Sequence, residues 1–220
     1  MKNIRIDSRL KELYPKAVLA CVQCRVQVKE SPKELLNELK KTEDRIQETC
    51  PTNSEIAKRE PIAHTREAYK AFGKEPGRYR GSSEAMHRRI RQGKGLYYIN
   101  NVVDCNNLVS LKTGYSMGVY DTAQIGEEIV WKVAEPGSCY RGIGKEEINV
   151  EFLPVLEDEQ GPFGNPTSDS TRAMIREETK EVLMCIYGLG ALSLETEMEE
   201  MKRVLRIYCG SESFEEALIL

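Results

Sequence analysis

With 220 residues, a mass of 25.0 kDa and a net charge of −3, the chain can bury one sizeable core. It is too nearly neutral for its overall charge to draw it to nucleic acid or to a membrane. Apolar content of 40 % and charged content of 30 % are those of a soluble globular protein. The longest apolar run, 182–194, is too short to span a bilayer. Seven scattered cysteines, with no targeting core in MKNIRIDSRL, lead to the expectation of a reduced, cytoplasmic protein with free thiols.

The charge is uneven. Arg66 to Lys94 holds nine Lys or Arg against three acids, a local +6, whereas from Glu195 onward seven acids face three bases. One basic face on a mildly acidic protein is expected.

In chain order, Ile4 and Ile6 suggest a short strand, and Asp7 or Ser8 caps a helical turn that stops before Pro15. Residues 17–28 form a strand whose first half is apolar on both faces. Its CxxC, Cys21 and Cys24, places the two thiols on opposite faces and so is structural rather than a metal or redox site. Ser31-Pro32-Lys33-Glu34 has a capping residue, a first-turn proline and a third-position Glu, which predicts a helix start with Ser31 as N-cap. A second helix is expected over 54–59. His64 is expected in a polar turn, as a surface or capping residue, and a helix over 66–72.

After a Gly- and Pro-containing loop with Arg78-Tyr79-Arg80, Ser82 or Ser83 caps a helix over 84–92 closed by Gly93. Met86 and Ile90 face inward on it, with His87, Arg88 and Arg91 on a polar arc. Arg78, Tyr79, Arg80, Arg88, Arg91 and Lys94 are the candidate nucleic-acid-binding residues: bases hold phosphates, and aromatics such as Tyr69, Phe72 and Tyr79 can stack on nucleotides. A solvated basic helix is the competing reading.

Residues 96–103 read as a strand and 104–112 as a short helix ended by Gly114, with Asp104 as N-cap. Asp104, Asn107 and Ser110 share one face of that helix; Asn107 and Ser110 stay open between a structural and a ligand-facing role. Strands follow over 125–134 and 148–155, and 157–161 is read as a solvent-facing acidic turn. The segment GPFGNPTSDSTR, 161–172, is a rigid loop of the kind that lines binding sites. A buried strand over 181–187 and a helix over 193–208 complete the chain; the stripe Leu194, Met198, Met201, Leu205 and Tyr208 is core. Strands and helices mix without a βαβ rhythm, giving an α+β class.

Phosphate-binding, dinucleotide, hydrolase-elbow and zinc-protease motifs are all missing. No metal or cofactor is expected. Asp104 and Asp121 form a weak candidate acid-base pair.

INNVVDCNNLVSLKTGYSMGVYD resembles the core of the B3/B4 domain of phenylalanyl-tRNA synthetase beta subunits. The matching residues are Ile99, Asn100, Asn101, Val102, Val103, Asp104, Asn107, Leu111, Gly114, Tyr120 and Asp121. RYRGSSEAMHRRI upstream and GPFGNPTSDSTRAMI downstream look like free-standing relatives of that domain, so the resemblance covers roughly 75–190 of a single domain over 1–220. It implies a three-layer α+β fold containing a β-sandwich of unusual topology with flanking helices. It also implies a ligand pocket between the central motif and the later loop, formed by Asn107, Ser110, Gly118, Tyr120, Asp121, Thr167, Ser168, Asp169 and Arg172.

In the synthetase this domain hydrolyses mischarged tRNA. The resemblance therefore implies tRNA or aminoacyl-tRNA as partner, not DNA or membrane, with hydrolysis in trans as an extension. Gly118 stands where bacterial beta subunits have a His, and Asn165-Pro166-Thr167-Ser168 stands where an editing Glu is expected. That leaves Thr167, Asp169 or the substrate's own ribose hydroxyl to orient the water, with Thr167 and Asp169 the catalytic candidates. The alternative is a protein that takes a free, amino-acid-like small molecule in the same pocket.

Overall fold

The computed structural model describes residues 1–144 and 146–220. Its centre is a four-stranded sheet in the order β10–β2–β9–β3, from β10 (Glu215–Ile219), β2 (Ala17–Arg25), β9 (Glu181–Leu189) and β3 (Met117–Asp121). All three pairings are antiparallel, and β2 and β9 run together over their full length, Ala17 opposite Leu189 and Arg25 opposite Glu181. Both central strands are apolar on both faces because both faces are covered. Leu19, Cys21, Cys185 and Tyr187 point into one core, while Ala20, Val22, Met184 and Ile186 point into the other.

The first core lies between this sheet and a second one of order β1–β4–β7–β8, formed by β1 (Asn3–Ile6), β4 (Glu128–Val133), β7 (Pro154–Asp158) and β8 (Gly161–Gly164). The pairing of β1 with β4 is parallel and the rest are antiparallel. Trp131 of β4 meets Tyr187 of β9 across the gap, ring centroids 5.7 Å apart, and both are fully buried. Aromatic pairs of this kind add about 0.5–1.5 kcal/mol beyond the area they bury. A small hairpin, β5 (Cys139–Arg141) with β6 (Glu147–Asn149), flanks this layer.

The second core joins the central sheet to helices α2 (Lys33–Thr49), α3 (Asn53–Lys58), α5 (Ser82–Arg91), α6 (Asn101–Thr113) and α7 (Glu195–Cys209). Two further helices, α1 (Ser8–Leu13) and α4 (Glu60–Ala71), contribute Leu10, Ala68 and Tyr69 to the inter-sheet core. The result is sheet, sheet and helices in three layers, an α+β fold as expected. No helix among the described residues is long and apolar enough to cross a membrane.

Several local expectations are corrected. The predicted strand over 96–103 is an irregular approach followed by the first turn of α6. The Asn100 side chain accepts from Val103 N at 2.9 Å and caps that helix, so Asp104 is not the N-cap. The β-branched pair Val102 and Val103 reads as strand, but burial of α6 on nearly every side overrides that preference. Asn101, fully buried, accepts from Lys29 N and donates to the carbonyls of Gln27 and Tyr208, knitting α6 to the ends of β2 and α7.

Ser31 does not cap α2. Pro32 holds that position without a side-chain bond, and the Ser31 hydroxyl donates to Asp104 at 2.6 Å. His64 lies in α4, against Gly190, and His87 is buried rather than on a polar arc. Beyond the helix expected to close the chain, a further strand, β10, pairs antiparallel with β2.

Candidate functional site

The site is built around the end of β8 and the loop after it. Asn165 organises that loop. Its Oδ1 accepts from the amides of Thr167 (2.7 Å) and Ser168 (3.2 Å), and its Nδ2 donates to the Tyr140 hydroxyl at 2.5 Å. Tyr140 in turn donates to Ser168 O. On the next turn of the network, the Tyr69 hydroxyl lies 2.8 Å from Thr167 Oγ1. Three residues far apart in sequence thus fix the loop before any ligand arrives.

Asp169 is the ionisable group of this loop. Tyr120 Oη donates to its Oδ1 at 2.8 Å, and Tyr120 Oη lies 2.5 Å from the Tyr187 hydroxyl. While Asp169 is ionised, the Tyr120 hydroxyl donates its one hydrogen bond to the carboxylate, and Tyr187 therefore donates to Tyr120. Asp169 is only half-buried, yet protein atoms surround its carboxyl. That burial pushes its pKa up to about 7, against the opposing hydrogen bonds from Tyr120 and the Asn165 backbone. The same burial raises Tyr120 and Tyr187 well above the usual phenol range, so both stay protonated donors. A carboxyl that titrates near neutrality, within reach of the Gly- and hydroxyl-rich loop, can take up and return a proton at physiological pH.

Tyr120 also accounts for two glycines. A Cβ built at Gly118 or at Gly164 would fall inside the contact shell of the Tyr120 hydroxyl and ring. The ring fills the slot between β3 and β8, stacked edge-on against Phe163 at 5.0 Å. The place where a side chain at 118 would project is therefore taken by a tyrosine of the chain itself.

The other predicted pocket residues go elsewhere. Ser110, fully buried in the last turn of α6 on the helix side of the central sheet, donates to Tyr115 O, and Asn107 is half-buried on that same helix. Asp121 accepts from Thr179 Oγ1 (2.7 Å) and Ala123 N. Asp104 has other partners, Ser31 and Ile99 N, so the two aspartates share no hydrogen-bond partner among the described residues. Arg172 is a structural residue: it forms a two-pronged pair with Asp158, both contacts 2.9 Å, and donates to Gly161 O and Gln124 O. Asp158, expected on a solvent-facing turn, has a fully buried side chain.

The basic segment forms a second feature beside the first. Asn53, Arg80, Arg88, Arg89, Gln92 and Lys94 line a groove of about 380 Å³ with no carboxylate among its lining residues. Arg88 is partly neutralised at its rim by Glu84, which also holds Arg66, and Arg91 donates to Asn53. Arg78 is exposed, and it and Lys74 both sit over the Tyr79 ring. Tyr69 and Phe72, expected as stacking aromatics, are buried in the inter-sheet core. His87, on the buried face of the basic helix, has its pKa pushed down to about 4 by burial, with Arg59 adding to the shift. Its Nδ1 faces Ser83 O at 2.8 Å.

The sequence model of the B3/4 domain matches residues 64–203, which contain the basic helix, the central motif, the Asn165–Asp169 loop and β9. The chain belongs to the B3/4 domain family. Over 79 residues it is 34 % identical to the phenylalanine--tRNA ligase beta subunit of Symbiobacterium thermophilum, a match covering 35 % of this chain and 9 % of that subunit. A crystal structure of an N-terminal fragment of the phenylalanyl-tRNA synthetase beta subunit from Pyrococcus horikoshii aligns with 99 % of this chain and 50 % of that one, at TM-score 0.48 and 16 % identity. This B3/4 domain thus spans half or less of the length of either relative.

Of the residues expected at the pocket, Tyr120 and Asp169 meet through a hydrogen bond, and Thr167 and Ser168 lie on the same loop as Asp169. The sequence does not single out Tyr69, Tyr140, Asn165 and Tyr187 as their partners, or Arg89 in the groove. A signal for Tyr187 was present: a phenol in the otherwise apolar run EVLMCIYGL must find a buried partner. For Tyr69 and Tyr140 the sequence offers none, because their partners lie 98 and 25–28 residues away.

Proposed function

We propose that this B3/4 domain binds aminoacyl-tRNA, with the RNA backbone in the cationic groove and the aminoacyl end at the Thr167–Asp169 loop. One observation carries the reading. Ser82 N, the first residue of the basic helix α5, donates to Pro166 O at 2.6 Å in the middle of that loop. Charge for a backbone and a polar, proton-handling loop are therefore fastened together as one unit. The relationship to a tRNA ligase subunit supports the same partner. On this reading the protein works in the cytoplasm.

Phosphate contacts make the affinity salt-dependent. The double variant Arg80→Glu/Arg89→Glu is expected to weaken tRNA binding about 10- to 100-fold at low salt and to flatten the slope of log affinity against log salt by about two. Filter binding across a salt series measures both. Wild-type affinity no better than that of an unrelated acidic protein sinks the reading.

Asp169 favours the finer step, hydrolysis of mischarged aminoacyl-tRNA in trans, with the ionised carboxylate as base for water. Deacylation by the purified protein is then expected to rise with pH and to level off above about pH 7, following ionisation of Asp169. Asp169→Asn should lower the rate at least tenfold with tRNA binding retained. An Asn variant as fast as wild type on a panel of mischarged tRNAs removes this step and leaves binding untouched.

A further inference from the structure

The irregular segment between α5 and α6 presents an aromatic surface that nothing above uses. Tyr97 is 70 % exposed, Tyr98 46 % and Ile99 62 %, three large apolar side chains in a row. The backbone beneath them is not loose. Leu96 N donates to Glu43 Oε1, Ile99 N to Asp104 Oδ1, and Asn101 N to Lys29 O. Gly93 and Gly95 turn the chain with φ of +72° and +59°, which favours glycine at both places. The protein thus holds this segment in place and leaves its aromatic side chains facing solvent.

Arg89 connects the segment to the cationic groove. Its guanidinium lies 4.1 Å from the Tyr97 ring centroid, and Arg89 and Lys94 both line the groove. A cation on one face of an aromatic ring, the rest of the ring in water and a phosphate-sized positive groove alongside make a stacking platform next to a backbone track. A paired base in a duplex has no free face to offer such a ring, whereas an unpaired base does. The positive charge favours a polyanion over a neutral apolar partner.

We propose that Tyr97, backed by Arg89, stacks an unpaired nucleobase of a single-stranded RNA segment whose phosphates occupy the Arg80–Lys94 groove. The inference rests on the RNA-binding reading above and adds to it the strand state of the RNA and the residue that reads it. It also moves the stacking role from Tyr69 and Phe72, which are buried, to a tyrosine that the sequence pattern assigned to a strand.

The test compares fluorescence anisotropy of a labelled 12-nucleotide single-stranded RNA and of a blunt duplex of the same length, at low salt, with the 220-residue chain. Tyr97→Ala is expected to weaken single-strand binding about five- to a hundredfold. It should change duplex binding less than twofold and leave the salt slope as it was. Tyr97→Phe should bind like wild type, and an unchanged melting temperature for both variants checks folding. Equal loss on single strand and duplex, or no loss on either, overturns the stacking role while the groove reading stands. No RNA binding by the wild type overturns both. Loss of binding to anionic phospholipid vesicles in Tyr97→Ala, with RNA binding intact, overturns the proposal in favour of a membrane surface.

Discussion

Replacing Arg172 by Met is expected to destabilise the protein by about 3–5 kcal/mol, the usual cost of stranding a buried charge. Asp158 has no exposed side-chain surface and receives both prongs of the guanidinium at 2.9 Å. Burial alone would push its carboxyl up, but Arg172 and the amides of Gly126 and Gln160 outweigh it and hold the pKa below the ordinary carboxylate value. Without Arg172 only the two amides remain. A depressed carboxylate contributes stability above its unfolded pKa and loses it as pH falls through the folded value. The penalty should therefore be full at pH 7 and shrink as falling pH protonates the unpaired Asp158 of the variant. Urea unfolding at pH 7 and pH 3.5 measures the difference. The double variant Arg172→Met/Asp158→Asn should recover much of the loss, because no buried charge is left unpaired. A penalty below 1 kcal/mol at pH 7 would mean that Arg172 is free to serve a ligand after all.

That pair shows where reading the sequence stops. Glu157-Asp158-Glu159-Gln160 has the composition of a solvated turn, and nothing local marks Asp158 as the one that turns inward; its partner lies 14 residues on. Strand β2 was legible because alternation and continuous apolarity are properties of the strand alone. The basic helix was legible from its charge. The start of α6 was not, because Ile99–Val103 satisfies the strand pattern while the deciding contact is one side chain, Asn100, on the Val103 amide. Misplacing that boundary also hid Tyr97, which in a strand would have been half-covered and in the irregular segment is exposed. The candidate site divided in the same way. Residues within the motif and loop were named, whereas the phenols that hold them come from α4, β5 and β9.

A side chain at position 118 is expected to damage the protein nearly as much. In Gly118→Ala the new Cβ meets the Tyr120 hydroxyl and ring, and the ring cannot give way. Its oxygen is held by Asp169 and Tyr187, Phe163 stands edge-on to it, and on the far side Gly164 leaves no more room than Gly118 does. Overpacking in such a place costs about 1–3 kcal/mol, toward the upper end here. Tyr120→Leu removes the obstructing atoms but leaves a cavity and deprives Asp169 of a donor, about 2–4 kcal/mol by itself. Because the two changes act on the same space, Gly118→Ala/Tyr120→Leu should be more stable than the sum of the single effects by 1 kcal/mol or more. The Tyr120 hydrogen bond lowers the Asp169 pKa, so its removal should also move the Asp169 titration upward from about 7. Chemical denaturation of the four proteins and carboxyl titration by NMR give both quantities. Additive energies, or an Asp169 titration that stays in place, would separate Gly118 and Asp169 from Tyr120. Coupling would make glycine at 118 the counterpart of tyrosine at 120: the phenol that reaches the acid occupies the space a side chain at 118 would need.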